Sequence, residues 1–299
     1  MNNTYGFSYM DTGLGNMIWS WAYCYIWCKD NQIEIIAPFW SFPHPKKWLR
    51  ERKIDRWYAG YFHNEGYISG LHRLALLATG QKVDYRSIGK DLCKIQLGSS
   101  KTHPLIISFT DLYDFNLLLG RHNEVSQELA RITRKKYFPH VDSQPFISVH
   151  VRLGDFKPQD PSSTGSVAPN TRLPIDWYVS ALRKVREVLG TNIRAVVFSD
   201  GSDSELSLLL QEDNTLRSTN TTAITDIWTM TKSAAIIASR SSFSLWGTYL
   251  GQVPTIYYPG ARPCDVSIVK SGKEFDLEPE WGIESELPES FIQGVVHRL

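Results

Sequence analysis

Long apolar stretches are missing from this sequence. It contains no run of about 20 apolar residues and therefore predicts no membrane-spanning helix. Residues 1–5 also lack the basic and apolar regions with which a secretory signal peptide begins. We therefore expect a cytoplasmic protein whose contact with a membrane is at most peripheral.

Positive charge is not in excess either. The 32 basic and 31 acidic residues give a net charge of +1. A protein that coats nucleic acid would carry many more basic residues to neutralise phosphates, so we expect no nucleic-acid partner. A balanced total still allows a few cations to gather around a small anionic ligand.

Cysteine is scarce, with four residues in the chain. Cys24 and Cys28 are spaced to share one face of a helix, and Cys93 and Cys264 stand alone. The chain has no pair of CxxC motifs, the spacing typical of a structural zinc site. We therefore expect free thiols and no bound metal.

What is present is the composition of an ordinary globular protein. Of the 299 residues, 42% are hydrophobic and 21% are charged. This length suits two domains of about 150 residues each. The segment 139–145 combines two prolines with polar residues and is typical of an extended linker. We therefore predict an N-terminal α/β domain over residues 1–140 and a C-terminal domain over residues 141–299.

The N-terminal domain begins with a glycine-rich loop at residues 11–16. An apolar, aromatic segment at 17–29 predicts a buried helix, and residues 32–37 and 105–109 predict strands. The glycines of the loop either give the helix start its backbone freedom or form a cradle of amides for an anion. Residues 39–104 show no clear organisation.

The C-terminal domain alternates predicted strands and helices from residue 146 onward. Its strands are apolar and rich in β-branched residues, and its helices carry apolar residues at helical spacing. This alternation is typical of an α/β fold with a parallel, doubly wound sheet. Strands are predicted at 146–150, 193–198, 234–238 and 253–258, and helices at 177–189, at 206–210, in a segment capped by Asp226, and at 243–250.

Polar residues stand where three of these strands end. His150 and Arg152 are two apart and therefore share one face of a strand, which predicts two cations at the edge of the sheet. The other two ends carry Asp200 and the serines within 239–242. Because ligands of open α/β sheets bind at the carboxyl ends of the strands, we expect these groups to meet at one site.

Each of these groups suits one part of a guanosine diphosphate. The planar guanidinium of Arg152 can bind phosphate oxygens, and Asp200 can accept the adjacent N–H donors of guanine. Ser241, Ser242 and the amide of Phe243 lie at a predicted helix start, where the positive helix end favours a phosphate. The alternative is structural: an ion pair and ordinary helix caps.

Four blocks of the sequence resemble the α1,2-fucosyltransferase family, within the wider group that includes α1,6- and protein O-fucosyltransferases. Residues 150–155 (HVRLGD) resemble the HxRxGD motif, and residues 13–17 (GLGNM) resemble the GRLGNQ block. Residues 198–200 (FSD) resemble the FSDD block. Residues 226–246 resemble D-x-x-x-M…I-x-x-N-S-S-F-S-W-W, the most specific of the four. The resemblance extends over residues 11–258.

The resemblance implies a GT-B-like fold of two Rossmann-like domains, with the donor site in the C-terminal domain and the acceptor side in the N-terminal one. It implies an inverting glycosyltransferase that moves L-fucose from GDP-fucose to a glycan hydroxyl, expected to be O2 of galactose, with no cofactor and no metal. For the donor it implicates Gly15, Asn16, Arg152, Asp200 and residues 240–243. A bacterial-type enzyme of this kind would build surface polysaccharide, and a lipid-linked acceptor would bring it to the inner membrane face.

The chain departs from the family pattern at four places. Thr12 and Gly13 stand where Gly-Arg is usual, and Gly201 replaces the second Asp of FSDD. Arg240 replaces an Asn, and Leu245 replaces a Trp. Arg240 either adds a second cation near the diphosphate or signals a GDP-sugar other than GDP-fucose. The departures also leave room for a protein that binds a GDP-sugar without catalysis.

By the resemblance we assign catalysis to Arg152, His150 and Asp160. Arg152 would meet the charge on the leaving diphosphate. Asp160 lies in the loop after the motif and is the expected base for the acceptor hydroxyl, with Asp155 and Asp11 as competitors. Asp155 is expected to orient Arg152 as structural support. His150 either bonds to a phosphate or sugar hydroxyl of the donor or holds its own loop.

Overall fold

A computed structural model of the protein shows two compact units, Met1–Lys136 and Tyr137–Leu299. The residues it describes are 3–40, 58–88, 103–140, 144–158, 167–168, 170–269 and 277–299. The division follows Lys136, whereas the sequence predicts a boundary after residue 140. Each unit contains its own parallel sheet.

The described residues of the first unit form four strands together with helices. Its strands are β1 (Thr4–Ser8), β2 (Glu34–Ile36), β3 (Gln81–Asp84) and β4 (Leu105–Phe109). They pair in parallel in the order β2-β1-β4-β3. The helices are α1 (Leu14–Asp30), α2 (Gly70–Thr79), α3 (Tyr85–Ile88) and α4 (His122–Ile132).

Strand β1 precedes the glycine loop and has no clear sequence signal. Its five residues, TYGFS, include a glycine and three hydroxyl side chains, which weakens the apolar alternation of a strand. Packing explains the glycine: a Cβ on Gly6 would lie 2.1 Å from Sγ of Cys28 and 3.1 Å from Sγ of Cys24. Both thiols therefore lie on the face of α1 that covers β1, as their spacing predicts. The glycine loop consequently follows the carboxyl end of a central strand.

Helix α1 confirms the prediction of a buried helix but begins earlier, at Leu14. Gly13 is its N-cap, so the glycine loop forms the start of the helix. The helix is buried on nearly all sides, which is why its sequence is apolar and aromatic throughout. The hydroxyl of Ser20 donates to the carbonyl oxygen of Phe109 at 2.6 Å, so this buried polar group is satisfied.

The second unit alternates strands and helices from residue 146 to its end. Its strands are β5 (Phe146–Val151), β6 (Arg194–Ser199), β7 (Thr215–Arg217), β8 (Ala235–Ala238) and β9 (Thr255–Tyr257). They pair in parallel in the order β7-β6-β5-β8-β9. The helices are α5 (Ile175–Leu189), α6 (Ser207–Leu210), α7 (Ala223–Met230), α8 (Ser242–Gly251) and α9 (Glu289–Val296).

The predicted parallel, doubly wound sheet is confirmed, and the structure adds two elements to it. Strand β7 is three residues long and has the sequence TLR, too short and too polar to predict. Helix α9 packs its buried Phe291 and Val295 into the main core of the unit, with Trp177 and Leu182 of α5. Strand β7 extends the sheet beyond β6, and helix α9 adds apolar side chains to the core of the unit.

Strand β5 is the centre of the second sheet, and all six of its residues are buried. The chain passes from β5 to β6 and β7 on one side, then returns to β8 and β9 on the other. The strand order therefore reverses between β5 and β8, and ligands of such sheets bind at the carboxyl ends of the strands at this point.

The helices of both units are short. The longest among the described residues, α1, has 17 residues. None of the helices in the described ranges combines the length and the apolar character needed to cross a bilayer.

Candidate active site

Arg152 follows the carboxyl end of β5 and is held between two carboxylates. Its Nη1 lies 2.6 Å from Oδ2 of Asp200, and its Nη2 lies 2.7 Å from Oδ1 of Asp155. The guanidinium also lies over the ring of Phe156, 5.5 Å from its centroid. The side chain keeps 26% of its surface exposed. A guanidinium has five N–H donors, so these two contacts leave three for a ligand.

Asp200 ties the end of β6 to the turn that follows β5. Its Oδ1 accepts from the amide of Leu153 at 2.9 Å, while its Oδ2 faces Arg152. Gly154 permits this close approach, because a Cβ there would lie 2.3 Å from Oδ2. Both carboxylate oxygens thus have protein partners, and the role of Asp200 as the guanine acceptor stays a prediction.

Two arginines that no motif singles out hold the turns of this site. Arg172 donates through Nε to the carbonyl of Phe156 at 2.8 Å and through Nη2 to that of Gly154 at 3.3 Å. Arg217, the last residue of β7, donates through Nη2 to the carbonyls of Ser199 at 3.1 Å and Gly201 at 2.7 Å. Neither arginine can be predicted from a motif, because each one binds backbone carbonyls that are distant along the chain.

His150 is buried at the end of β5, with 5% of its surface exposed. Its Nδ1 lies 2.9 Å from Oγ of Ser239, and its ring packs 5.2 Å from that of Phe243. Burial, followed by the positive charge of Arg152, lowers the pKa of His150 to about 3. The expectation of two cations at this strand end is therefore wrong for His150, because desolvation keeps the imidazole neutral.

The start of helix α8 lies beside these groups. Ser241 is the N-cap, and its hydroxyl accepts from the amide of Phe243 at 3.2 Å. Ser242 is the first helical residue. The phosphate-binding role of Ser241, Ser242 and Phe243 stays a prediction, and a phosphate there would compete with Ser241 for the Phe243 amide.

Arg240 lies just before this helix and uses its guanidinium on backbone carbonyls. Its Nη1 donates to the carbonyl of Val167 and, at 3.0 Å, to that of Gly260. A cation next to a helix N-terminus repels the positive end of the helix dipole. The Arg240 guanidinium and the positive end of the α8 dipole therefore lie together after the carboxyl end of β8. Their combined positive potential favours an anionic ligand. Direct contact of Arg240 with a diphosphate stays a prediction.

Asp226 does not cap a helix, contrary to the prediction. Helix α7 begins three residues earlier, at Ala223, with Thr222 as the N-cap. Asp226 lies inside the first turns and accepts from Oγ of Ser218 at 3.1 Å and Nδ2 of Asn220 at 3.0 Å. Burial raises the pKa of its carboxyl to about 6. Its contacts support the segment after β7.

The remaining predicted site residues lie elsewhere. Gly15 and Asn16 belong to the first unit, in the first turn of α1, where the amide of Asn16 donates to the carbonyl of Gly13 at 3.1 Å. Asp11 is exposed in the preceding loop. Asp160 lies outside the described residues. Their roles in donor binding and proton transfer stay predictions.

The structure thus brings most of the predicted second-unit residues together at the carboxyl ends of β5, β6 and β8. The triad of Arg152, Asp155 and Asp200 carries one positive and two negative charges. Arg240 and the start of α8 add positive charge nearby. No group of three or more His, Cys, Asp or Glu side chains able to hold a metal ion occurs in the described part of the chain.

Comparison with solved structures finds the same fold in a fucosyltransferase. The chain is 14% identical to the fucosyltransferase NodZ from Bradyrhizobium, with a TM-score of 0.50, over 87% of this chain and 96% of that one. A second structure, of the NodZ α1,6-fucosyltransferase soaked with GDP-fucose, has a TM-score of 0.52 and 14% sequence identity, over 86% of this chain and 96% of that one. These likenesses confirm the GT-B-like fold.

Comparison of the sequence gives the family. None of the curated proteins compared with the chain matches it. The model of glycosyl transferase family 11 matches residues 81–284, more than half of the chain and including the motifs around Arg152 and Arg240. This match agrees with the resemblance to α1,2-fucosyltransferases. The chain therefore belongs to glycosyl transferase family 11.

Proposed function

We propose that this family 11 glycosyltransferase moves L-fucose from GDP-fucose, with inversion at the anomeric carbon, to O2 of a galactose unit in a glycan acceptor. The family and the fold support the donor. Inversion and the acceptor position follow from the resemblance to α1,2-fucosyltransferases. In this proposal the second unit holds the donor and the first unit faces the acceptor.

The observation that carries the proposal is the placement of Arg152. Its guanidinium lies at the reversal point of the sheet, oriented by Asp155 and Asp200 and still partly exposed. A pre-oriented guanidinium with unused N–H donors can bind two phosphate oxygens at once. This geometry favours a diphosphate at the carboxyl ends of β5 and β8.

The reaction breaks one bond and forms another at the same carbon. The acceptor hydroxyl oxygen attacks the anomeric carbon of fucose from the face opposite GDP. The bond between that carbon and the β-phosphate oxygen breaks, and its electron pair leaves with GDP. The hydroxyl proton passes to a base. Asp160 is the proposed base, because Asp155 is already engaged with Arg152.

The leaving diphosphate gains negative charge as this bond breaks. Arg152 meets that charge directly, and the start of α8, with Arg240 beside it, adds a positive potential. Groups fixed in place before the reaction need no reorganisation when the charge develops. In other enzymes one such donor lowers the activation free energy by about 3–4 kcal/mol.

Donor and acceptor profiling tests the proposal. GDP release is measured with GDP-fucose and with other GDP-sugars, each with and without galactosides, and the product linkage is determined by NMR. We expect release that requires both GDP-fucose and a galactoside, with an α1,2-linked product. A preference for another GDP-sugar would overturn the donor assignment. Binding of GDP-sugars without any GDP release would show a non-catalytic binding protein.

A further inference from the structure

Arg73 places a positive charge on the inner face of helix α2, at the carboxyl end of strand β2. The helix begins beside that strand end, because the amide of Ala37 donates to the carbonyl of Ile68 at 2.9 Å shortly before α2 starts. Arg73 lies on the same face of the helix as Leu76 and Leu77, which pack in the apolar core of the unit. A charge therefore occupies a face on which helices carry apolar residues.

The guanidinium of Arg73 makes few contacts. It lies over the ring of Phe39, with Cζ 4.2 Å from the ring centroid. Its Nη1 donates to the carbonyl of Ala37 at 3.4 Å, near the upper limit for a hydrogen bond. Its Nε is buried without a hydrogen-bond partner. Its Nη2 has no partner within the described ranges either and, unlike Nε, is not enclosed.

A carboxylate partner for Arg73 is also missing among the described residues. Three other arginines of the first unit each pair with a carboxylate: Arg86 with Asp111, Arg121 with Asp30, and Arg131 with Glu128. The first turn of α2 contains no acidic residue. Burial lowers the pKa of Arg73, as expected for a cation that loses water without gaining a counter-ion.

A contribution to stability explains this arrangement poorly. A guanidinium with one long bond to a carbonyl and a buried, unpaired N–H recovers little of the free energy lost on leaving water. An apolar side chain of similar length, such as that of methionine, would contact Phe39 without this cost. Residues that break the rules of burial in this way are typical of binding sites.

We propose that Arg73 binds a carboxylate carried by an acidic sugar unit of the acceptor. The two Nη groups present their unused N–H donors in one plane, and a planar carboxylate can accept from both. Arg73 lies at the carboxyl end of a parallel strand, where α/β sheets bind their ligands. That the carboxylate belongs to the acceptor rests on the proposed function, in which the first unit faces the acceptor. The binding of a carboxylate at Arg73 does not.

Two disaccharides that differ in one group test the acceptor. β-Galactosyl-glucose is neutral, whereas β-galactosyl-glucuronic acid carries a carboxylate on its second unit. We expect KM for the acidic disaccharide to be roughly tenfold lower, the effect of one hydrogen bond to a charged group. Arg73→Gln should remove this difference and leave KM for GDP-fucose unchanged. Equal KM values for the two disaccharides in the unmodified protein would overturn the proposal.

Further variants separate binding from a structural role. Arg73→Met should unfold at the same Tm as the unmodified protein or a higher one, and it should lose the preference for the acidic disaccharide. Arg73→Lys keeps the charge without the planar fork and should keep part of the preference. Arg134→Gln changes an exposed arginine of the same unit and should keep all of it. A preference that persists in Arg73→Met, or a Tm several degrees lower, would overturn the binding role.

Binding without turnover separates this proposal from the proposed function. Each disaccharide is added to the full chain without GDP-fucose, and binding is measured by saturation-transfer NMR. We expect the acidic disaccharide to bind more tightly and Arg73→Gln to abolish that advantage. This result in a protein without transfer activity would overturn only the proposed function. Displacement of the acidic disaccharide by inorganic phosphate or GDP, but not by glucuronate, would overturn the assignment of a carboxylate.

Discussion

Strands β1 and β5 are inner strands of the two parallel sheets, and the residues at their carboxyl ends differ. Strand β5 carries His150, which hydrogen-bonds to Ser239 after β8, and is followed by Arg152. Arg152 forms one ion pair with Asp200 after β6 and a second with Asp155 in its own turn. Strand β1 ends in the buried Ser8 and continues into a glycine loop and the apolar helix α1. Both sheets are parallel and present the carboxyl ends of their strands on one side, and the side chains there decide what each side can bind.

The residues around the two strands show the same difference. Near β5, arginines hold the turns through backbone carbonyls, and carboxylates orient Arg152. Near β1, Gly6 contacts the cysteines of α1 so closely that no side chain fits between them, and this contact is steric and not electrostatic. We therefore expect substitutions in the second unit to alter binding, catalysis and pH dependence. Substitutions beside β1 should alter stability.

The largest expected effect is that of Arg152→Ala. Loss of the guanidinium removes the direct positive partner of the leaving diphosphate, so the rate of transfer should fall by a factor of about 100 to 1,000. The fold should persist, because the side chain is partly exposed at the edge of the sheet. Turnover is measured as GDP release. Arg183→Ala is the control, since Arg183 pairs with Glu212 on the surface. Near-normal turnover by folded Arg152→Ala would contradict the assignment.

The second expected effect is a pH dependence of stability from Asp226. Burial raises the pKa of its carboxyl to about 6 in the folded protein, compared with about 3.9 in an unfolded chain. The folded state therefore binds more protons between these values, and the free energy of unfolding falls as pH rises from about 4 to 6. The contribution is of order 3 kcal/mol.

Asp226→Asn isolates this contribution. Urea unfolding is measured from pH 4 to 7 for both proteins, and the difference between them reports Asp226 alone. We expect the decrease with rising pH to be smaller in the variant. Parallel curves for the two proteins would show that the Asp226 carboxyl titrates normally.

Gly6→Ala should lower stability by about 2 kcal/mol. A methyl group would lie 2.1 Å from Sγ of Cys28, so α1 or β1 must shift. Cys28→Ala in the same chain should recover part of the loss by removing that sulfur. Thermal and urea unfolding measure the effect. If Gly6→Ala unfolds like the unmodified protein, the close packing of α1 on β1 is wrong.

The smallest expected effect is that of Arg217→Ala. The substitution removes the hydrogen bonds from Arg217 to the carbonyls of Ser199 and Gly201, and these bonds fix the turn that carries Asp200. We expect a roughly tenfold fall in kcat/KM, the equivalent of about one hydrogen bond to a charged group. Arg217→Lys should recover little, because an ammonium group lacks the guanidinium fork. Unchanged kinetics would show that the turn holds its shape without Arg217.

The regular elements were predictable where local pattern and burial agree. Residues 105–109 form the predicted strand β4, and the strands from β5 to β9 lie where apolar runs predict them, except for β7. Strand β1 was not predicted, because its glycine is required by the packing of α1 against Gly6. The local sequence pattern does not contain that contact. The cap assigned to Asp226 is wrong because Thr222 begins the helix one turn earlier.

The site was predictable in its residue types and not in its contacts. Motif spacing brings Arg152 and Asp200 to one edge, and their ion pair joins residues 48 apart in the chain only through the pairing of β5 with β6. The neutrality of His150 follows from burial, which a sequence does not display. Arg172 and Arg217 bind backbone carbonyls. Because every residue has a backbone carbonyl, such a partner cannot be recognised from a sequence motif.

Hydrogen–deuterium exchange with and without GDP tests the central claim, that the nucleotide binds at the carboxyl ends of β5, β6 and β8. We expect slower exchange on GDP binding in peptides that cover residues 150–157, 199–203 and 239–245. Arg152→Ala should lose most of this protection at the same GDP concentration, and Arg183→Ala should retain it. GDP binding that leaves all three peptides unprotected in the unmodified protein would contradict a nucleotide site at these strand ends.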